Sequence, residues 1–258
     1  MAGWREQVAL VTGGGRGIGR AIARRLAREG AAVCVNYLER DDAAEALVAD
    51  IRAQGGRAIS VAADVSDDAA VEGMVDRVAA AFGDVSILVN NAGISHQATL
   101  DNYDAQALTR MRQVNADGMI HTVRAVMGGM RRAKFGRIVN VTSIAAIGTA
   151  LPGSTFYAAT KAEVQLLTLR FAMELGSYGI TVNAVAPGFV DTEMAANRRD
   201  SDGWKATVDD LSRRSMLGRI GDPEDVANAV AFFASPDSGW VTAQVLAVDG
   251  GRMDYLGR

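Results

Sequence analysis

Residues 8–19 read Val8-Ala9-Leu10-Val11-Thr12-Gly13-Gly14-Gly15-Arg16-Gly17-Ile18-Gly19, and a segment of helical period, Gly17 to Arg28, follows without a break. An apolar, β-branched run that passes through a glycine-rich turn into a helix is the opening of a βαβ unit. The glycines permit positive φ and close backbone approach, and the free N–H groups at the start of a helix can receive a pyrophosphate. Gly13, Gly15, Arg16, Gly17, Ile18 and Gly19 are therefore candidate cofactor contacts. The strict G-x-G-x-x-G spacing is absent, so taken alone the turn leaves a purely structural role open. No Gly-Lys-Ser/Thr follows, which disfavours a Walker-type loop.

Outward from this turn, short apolar runs keep alternating with helical segments. The runs are Val8–Val11, Ala32–Asn36, Ala58–Ala62, Ile87–Asn90, Ile138–Thr142, Thr181–Ala186 and Val245–Val248. Helical patterns fill Gly17–Arg28, Ala43–Gln54, Ala69–Phe82, a long stretch from about Tyr103 to Arg132, another from about Thr155 to Tyr178, and Pro223–Ala234. Most of the runs lack apolar/polar alternation, as expected of strands covered on both faces. The expectation is one α/β domain over residues 1–258, a Rossmann-type doubly wound sheet of about seven parallel strands with helices on both faces. In such a sheet, ligands gather at the carboxyl ends of the strands.

Composition narrows the classes of function. The chain has 258 residues, is 49% hydrophobic and carries a net charge of -3 with both signs interspersed, so nothing marks a surface for nucleic acid. No apolar stretch approaches the roughly 20 residues of a membrane span, and the N-terminus lacks the pattern of a secretory signal. A cytoplasmic location is expected. The single cysteine, Cys34, sits in an apolar run and reads as a buried free thiol, and the two histidines, His96 and His121, are too far apart to suggest a metal centre.

The second strand ends at Asn36, where an NAD-binding unit often carries an acidic residue for the ribose 2′-hydroxyl. A neutral side chain there, with Arg16 in the turn and Arg40 nearby, leaves room for a 2′-phosphate and cations to meet it. NADP(H) is expected ahead of NAD(H), although Glu39 turned inward would oppose that phosphate.

Tyr157 and Lys161 stand four residues apart on one helical face, so both can meet the same reactant. The chain holds five tyrosines and three lysines, which makes the chance expectation of such a pair only about 0.06. Lowering a tyrosine from its ordinary pKa to about 7 takes roughly 4 kcal/mol of preferential phenolate stabilisation. A neighbouring ammonium in a poorly solvated cleft, with an oxidised nicotinamide, is a source of it. Ser143 follows the strand Ile138–Thr142 at the ligand edge, either as a turn serine or as a hydroxyl that holds a carbonyl oxygen.

Together these motifs resemble the short-chain dehydrogenase/reductase family over nearly the whole chain. Thr12–Gly19 is similar to its T-G-x-x-x-G-x-G turn, Asp64-Val65 to its adenine contact, and Asn90-Asn91-Ala92-Gly93 to its fourth-strand motif. Asn115 falls where the family has its helix asparagine, Ser143, Tyr157 and Lys161 complete the tetrad, and Pro187-Gly188 with Val190 and Thr192 matches the nicotinamide-side loop. The resemblance implies that Lys161 also holds the nicotinamide ribose, that Asn115 keeps a water in a proton relay, and that Tyr157 protonates the oxygen as hydride leaves the nicotinamide. Without it, Asn115 is a polar residue inside a helix and Asp64 a cap for the helix that follows. A homotetramer is also implied.

Within the family the chain is most similar to 3-oxoacyl-[acyl-carrier-protein] reductases, which points to reduction of a ketone or 3-oxoacyl carbonyl. The alternatives are an alcohol, polyol or sugar dehydrogenase and, more remotely, a non-catalytic dinucleotide sensor. Arg131, Arg132 and Lys134 could meet an acidic carrier protein, while Met173 stands where those reductases commonly have arginine. Substrate contacts are expected from Ser95, His96, Ile144, Thr149, Phe156 and Phe189, with a lid over about residues 190–216.

Overall fold

The computed structural model describes residues 3–149, 151–192 and 203–255. The strands are β1 (Val8–Val11), β2 (Ala32–Tyr37), β3 (Arg57–Ala62), β4 (Ile87–Asn90), β5 (Gly136–Val141), β6 (Ile180–Pro187) and β7 (Val245–Val248). They form one parallel sheet in the order β3-β2-β1-β4-β5-β6-β7. The order reverses between β1 and β4, which creates the crevice at the carboxyl edge where doubly wound sheets bind ligands.

Side-chain alternation along the strands explains the two-sided core. Ala9 and Val11 of β1 and Val33 and Val35 of β2 face one layer, formed by α1 (Gly17–Glu29), α2 (Asp41–Ala53) and a C-terminal helix, Pro223–Ala234. Val8, Leu10 and Cys34 face the other, formed by α3 (Asp68–Phe82), α5 (Gly118–Ala133) and α6 (Thr155–Leu175). Cys34 is fully buried there, and burial pushes its thiol up to about 12, so it stays protonated and inert.

The long pattern from Tyr103 to Arg132 is not one α-helix. It divides into α4 (Ala105–Arg112), a π-helical turn Gln113–Asp117, and α5. The wide turn falls on Asn115. A helix absent from the sequence reading, α7 (Trp204–Arg213), lies within the segment expected as a lid, and residues 193–202 of that segment lie outside the described residues. The helix Pro223–Ala234, α8, starts as read from its sequence: Asp222 caps it, with Asp225 returning a bond to the Asp222 N–H. Among the described residues, no helix is long and apolar enough to cross a membrane.

Candidate active site

The glycine-rich turn is held from below by asparagines. Gly13, at φ +59°, donates its N–H to Asn36 Oδ1 at 3.2 Å, and Asn36 Nδ2 donates to the carbonyls of Val61 and Ala63. Asn36 is thus buried under the turn with its polar atoms engaged, rather than open toward a ribose. Asn91 Nδ2 donates to the carbonyls of Thr12 and Gly13, and the Thr12 hydroxyl accepts from the N–H groups of Asn91 and Ala92. A Cβ on Gly19 would lie 2.3 Å from the Gly13 carbonyl oxygen, so only glycine fits there.

Above the turn, Arg16 occupies the N-cap of α1 without a side-chain bond to the helix start. An uncapped helix N-terminus at the sheet's switch point suits a pyrophosphate, which is the fit a dinucleotide requires. Pro187 ends β6, and the chain from Gly188 through Val190 crosses to Thr192, whose side chain would sit 3.5 Å from a Cβ on Gly17. The loop expected on the nicotinamide side therefore faces the glycine-rich turn.

Asp64 accepts hydrogen bonds from Ser66 and pairs with Arg110 at 2.8 Å. Its partial burial pushes the carboxyl up, but the bonds from Ser66 and Arg110 outweigh this and hold it below the usual range. The cap of α3 is Asp67, which accepts from Ala69 and Ala70, and not Asp64 as the local reading of the sequence allowed. Asp64 instead closes the turn between β3 and α3, next to the buried Val65.

The tetrad is assembled from three elements. Ser143 caps the short 3₁₀ turn Ile144–Ile147 that follows β5, with its Oγ accepting from Ala145 N–H. Tyr157 and Lys161 come from the first turns of α6. Burial pushes the Tyr157 phenol up, and a hydrogen bond between it and the Ser143 hydroxyl pulls it partway back. Lys161 is 4% exposed, its Nζ donates to the Val141 carbonyl at 3.0 Å, and burial pushes its ammonium down to about 8. Nζ lies 5.9 Å from the centre of the Tyr157 ring.

These directions describe the chain alone, whereas the expectation for Tyr157 was stabilisation by the Lys161 ammonium together with an oxidised nicotinamide. In the chain alone, desolvation works against both charged forms, and the phenolate lacks sufficient compensation. The positive charge of an oxidised nicotinamide would have to supply the remainder.

Asn115 is 3% exposed in the π-helical turn. Its Oδ1 accepts from Ile94 N–H at 2.8 Å, and its Nδ2 donates to the Ile94 carbonyl and to Thr160 Oγ1, each at 3.0 Å. Thr160 Oγ1 in turn donates to the Tyr157 carbonyl. A cavity of about 10 Å³, at the lower limit for one water, is walled by Asn115, Lys161, Asn90 and Thr12. Gly93 lies against the same groups: a Cβ there would come within 3.3 Å of both Asn115 Oδ1 and Lys161 Nζ.

One supporting network was not read from the sequence as functional. Thr122 Oγ1 donates to Asn90 Oδ1, Asn90 Nδ2 to Asn140 Oδ1, and Asn140 Nδ2 to Thr168 Oγ1. It joins α5, β4, β5 and α6 under the site. The available signal was an asparagine in each of two apolar strands, Ile87–Asn90 and Ile138–Val141, which prove to be register partners.

Of the residues expected at the substrate, Ile144 and Thr149 are buried, Phe156 stacks on Tyr103 at 5.1 Å, and Phe189 lies 6.1 Å from Trp204. Ser95 and His96 are exposed on the loop after β4. The basic residues considered for a carrier protein are partly engaged: Arg132 pairs with Asp84 at 2.9 Å, and Arg131 stacks on Tyr178.

The family model described as enoyl-(acyl carrier protein) reductase matches residues 13–252. The chain belongs to the short-chain dehydrogenase/reductase family. It is 43% identical to the 3-oxoacyl-[acyl-carrier-protein] reductase FabG of Staphylococcus epidermidis over 94% of this chain and 97% of that protein. It is 40% identical to the (2S)-[(R)-hydroxy(phenyl)methyl]succinyl-CoA dehydrogenase subunit BbsD of Thauera aromatica over 99% of this chain and all of its relative. A short-chain dehydrogenase of Burkholderia cenocepacia solved in complex with NADP superposes with a TM-score of 0.86 at 40% identity, covering 97% of this chain and 99% of the other.

Proposed function

We propose that this enzyme passes a hydride between NADP(H) and a ketone or 3-oxoacyl carbonyl, with the secondary alcohol as its reverse substrate. One observation carries the reading: Ser143, Tyr157 and the buried Lys161 converge at the carboxyl edge of the sheet, beside an uncapped helix N-terminus. The cofactor, when bound, supplies the hydride. Gly13 to Gly19, Asn91, Ala92, Gly93 and the loop from Pro187 to Thr192 form its cradle, with Asp64 and Val65 at the adenine end.

Ser143 Oγ holds the carbonyl oxygen, and Tyr157 Oη gives it a proton in reduction and takes it back in oxidation. Lys161 spends one N–H on Val141 and has two left, enough for the ribose hydroxyls that fix the nicotinamide. Asn115 holds the loop at Ile94 beside a space for one water, which supports its part in returning a proton to Tyr157. Arg16 at the glycine-rich turn and Arg40 just beyond β2 are cations placed to meet a 2′-phosphate. The NADP held by the Burkholderia relative supports the same preference.

The apolar surfaces of Phe156 and Phe189 suit a ketone or acyl chain better than a free sugar. The helix α7, whose Trp204 lies against Phe189, would help to cover such a substrate. Two of the relatives are named for acyl thioesters, one on carrier protein and one on coenzyme A. With Arg131 and Arg132 engaged elsewhere, carrier-protein docking has less to rest on than thioester or ketone recognition itself. A cytoplasmic location accords with the single reduced, buried thiol.

A panel of ketones, 3-oxoacyl thioesters, polyols and sugars, run with both NADPH and NADH, tests the reading. The expected result is NADPH oxidation with ketones or 3-oxoacyl thioesters; turnover confined to sugars or polyols would replace it. Tyr157→Phe is expected to lower kcat about 10²- to 10⁴-fold with NADPH affinity retained, and an unchanged rate would remove the acid/base assignment.

A further inference from the structure

A groove of about 670 Å³ opens at the end of the sheet where the strands begin, opposite the edge that carries Tyr157. Arg5 precedes β1, Arg24 and Arg28 lie on α1, and Arg57 opens β3; all four line it, and no carboxylate does. Arg24 pairs with Asp50 at 2.7 Å, and Arg28 reaches Glu224 only at 3.9 Å. Among the described residues, Arg5 and Arg57 have no acidic partner; Arg57 Nη2 instead donates to the Arg5 carbonyl at 2.6 Å. Four guanidinium groups against two neighbouring carboxylates leave roughly two positive charges concentrated in a chain whose net charge is -3. Several arginines elsewhere on the surface are matched closely, as in Arg110 with Asp64, Arg112 with Glu163 and Arg219 with Asp225.

We propose that this groove binds a small molecule bearing two or more phosphate groups, at a site separate from that of the cofactor. Guanidinium forks match phosphate oxygens, and arginines spread around a groove meet several phosphates better than a single monoanion. The volume falls in the range of pockets that bury a small ligand. Ala27 and Ile51 add an apolar patch. A linear polyphosphate and a nucleoside polyphosphate share the recognised chemistry.

The test is calorimetric titration of the full chain, saturated with NADP⁺ to occupy its own phosphate-binding turn, with sodium tripolyphosphate and separately with ATP at constant ionic strength. Saturable binding of one equivalent per chain is expected, weakened about tenfold or more in the double variant Arg28→Gln, Arg57→Gln. NADP⁺ affinity and carbonyl turnover should stay unchanged, which separates this site from the proposed activity. Tighter binding of tripolyphosphate would identify the inorganic ligand, and tighter binding of ATP the nucleotide. Arg28→Gln alone, at a half-exposed position, keeps the test open should the double variant fold poorly; it should weaken binding at least about threefold. Absence of saturable binding to either probe, or binding indifferent to these substitutions, would overturn the proposal.

Discussion

In the proposed mechanism, Lys161 is the residue whose charge state governs the site. Its ammonium is pushed down to about 8 by burial, while the Tyr157 phenol is pushed up, so on raising the pH the lysine loses its proton first. The protonated lysine is the form that stabilises phenolate, so it acts fully below pH 8 and is lost above it. The kcat/KM for carbonyl reduction should be level below about pH 8 and fall above it. Lys161→Arg, whose charge does not titrate in this range, should move that fall to higher pH, whatever it does to the rate itself. A pH–rate profile of both proteins decides this; an alkaline limb at the same position in both would assign it to another group.

Linkage gives the same residue a second signature. Between about pH 8 and its unfolded value near 10.4, the unfolded chain binds the Lys161 proton more tightly than the folded one, so this group makes stability rise with pH through that window. Burying an amine at this site therefore opposes folding at neutral pH. The surrounding structure has to outweigh it.

At the scale of elements, the turn after β1 and the π-helical turn between α4 and α5 have no latitude. Gly19→Ala would force a Cβ into the Gly13 carbonyl oxygen and the Asn91 amide, shifting the turn away from the phosphates. Titration of NADPH fluorescence should show affinity weakened about tenfold or more, roughly 1.4 kcal/mol. The polar network beneath the site carries a stability prediction instead. Asn140→Leu would leave the buried Asn90 Nδ2 without its acceptor and the fully buried Thr168 Oγ1 without its donor, at about 1–3 kcal/mol for each unmet group. Urea unfolding at fixed protein concentration measures it; a loss below about 0.5 kcal/mol would show that water or repacking replaces those bonds.

At the scale of the molecule, the described residues include two exposed apolar stretches on the single chain. Leu166, Leu169 and Met173 are exposed along one stripe of α6, at the helical spacing of neighbours. Phe232 of α8, Trp240 and Leu246 are exposed around β7, the edge strand of the sheet. The homotetramer expected from the family resemblance would need two separate faces of this kind, each covered by a second copy of the chain. Light scattering of the wild type should give a tetramer, and Leu166→Glu with Met173→Glu should give a smaller species. A monomeric wild type would end this reading.

The reach of the sequence follows from which forces act locally. Strand runs covered on both faces, a capped helix start at Asp222-Pro223 and a glycine turn between strand and helix are determined by neighbours in the chain, and from them the doubly wound fold and the position of its ligand edge were legible. Tyr157 and Lys161 were legible for the same reason, since helical spacing alone puts them on one face. Whether a polar side chain looks into a ligand crevice or into the protein depends on partners far away in sequence. Asn36 turned under Gly13 toward β3, Asp64 passed the capping of α3 to Asp67, and Asn115 widened its helix to reach Ile94 and Thr160. The direction in which burial moves Tyr157 was likewise settled only by tertiary packing, because desolvation is set by everything that surrounds a group and by nothing in its own tripeptide.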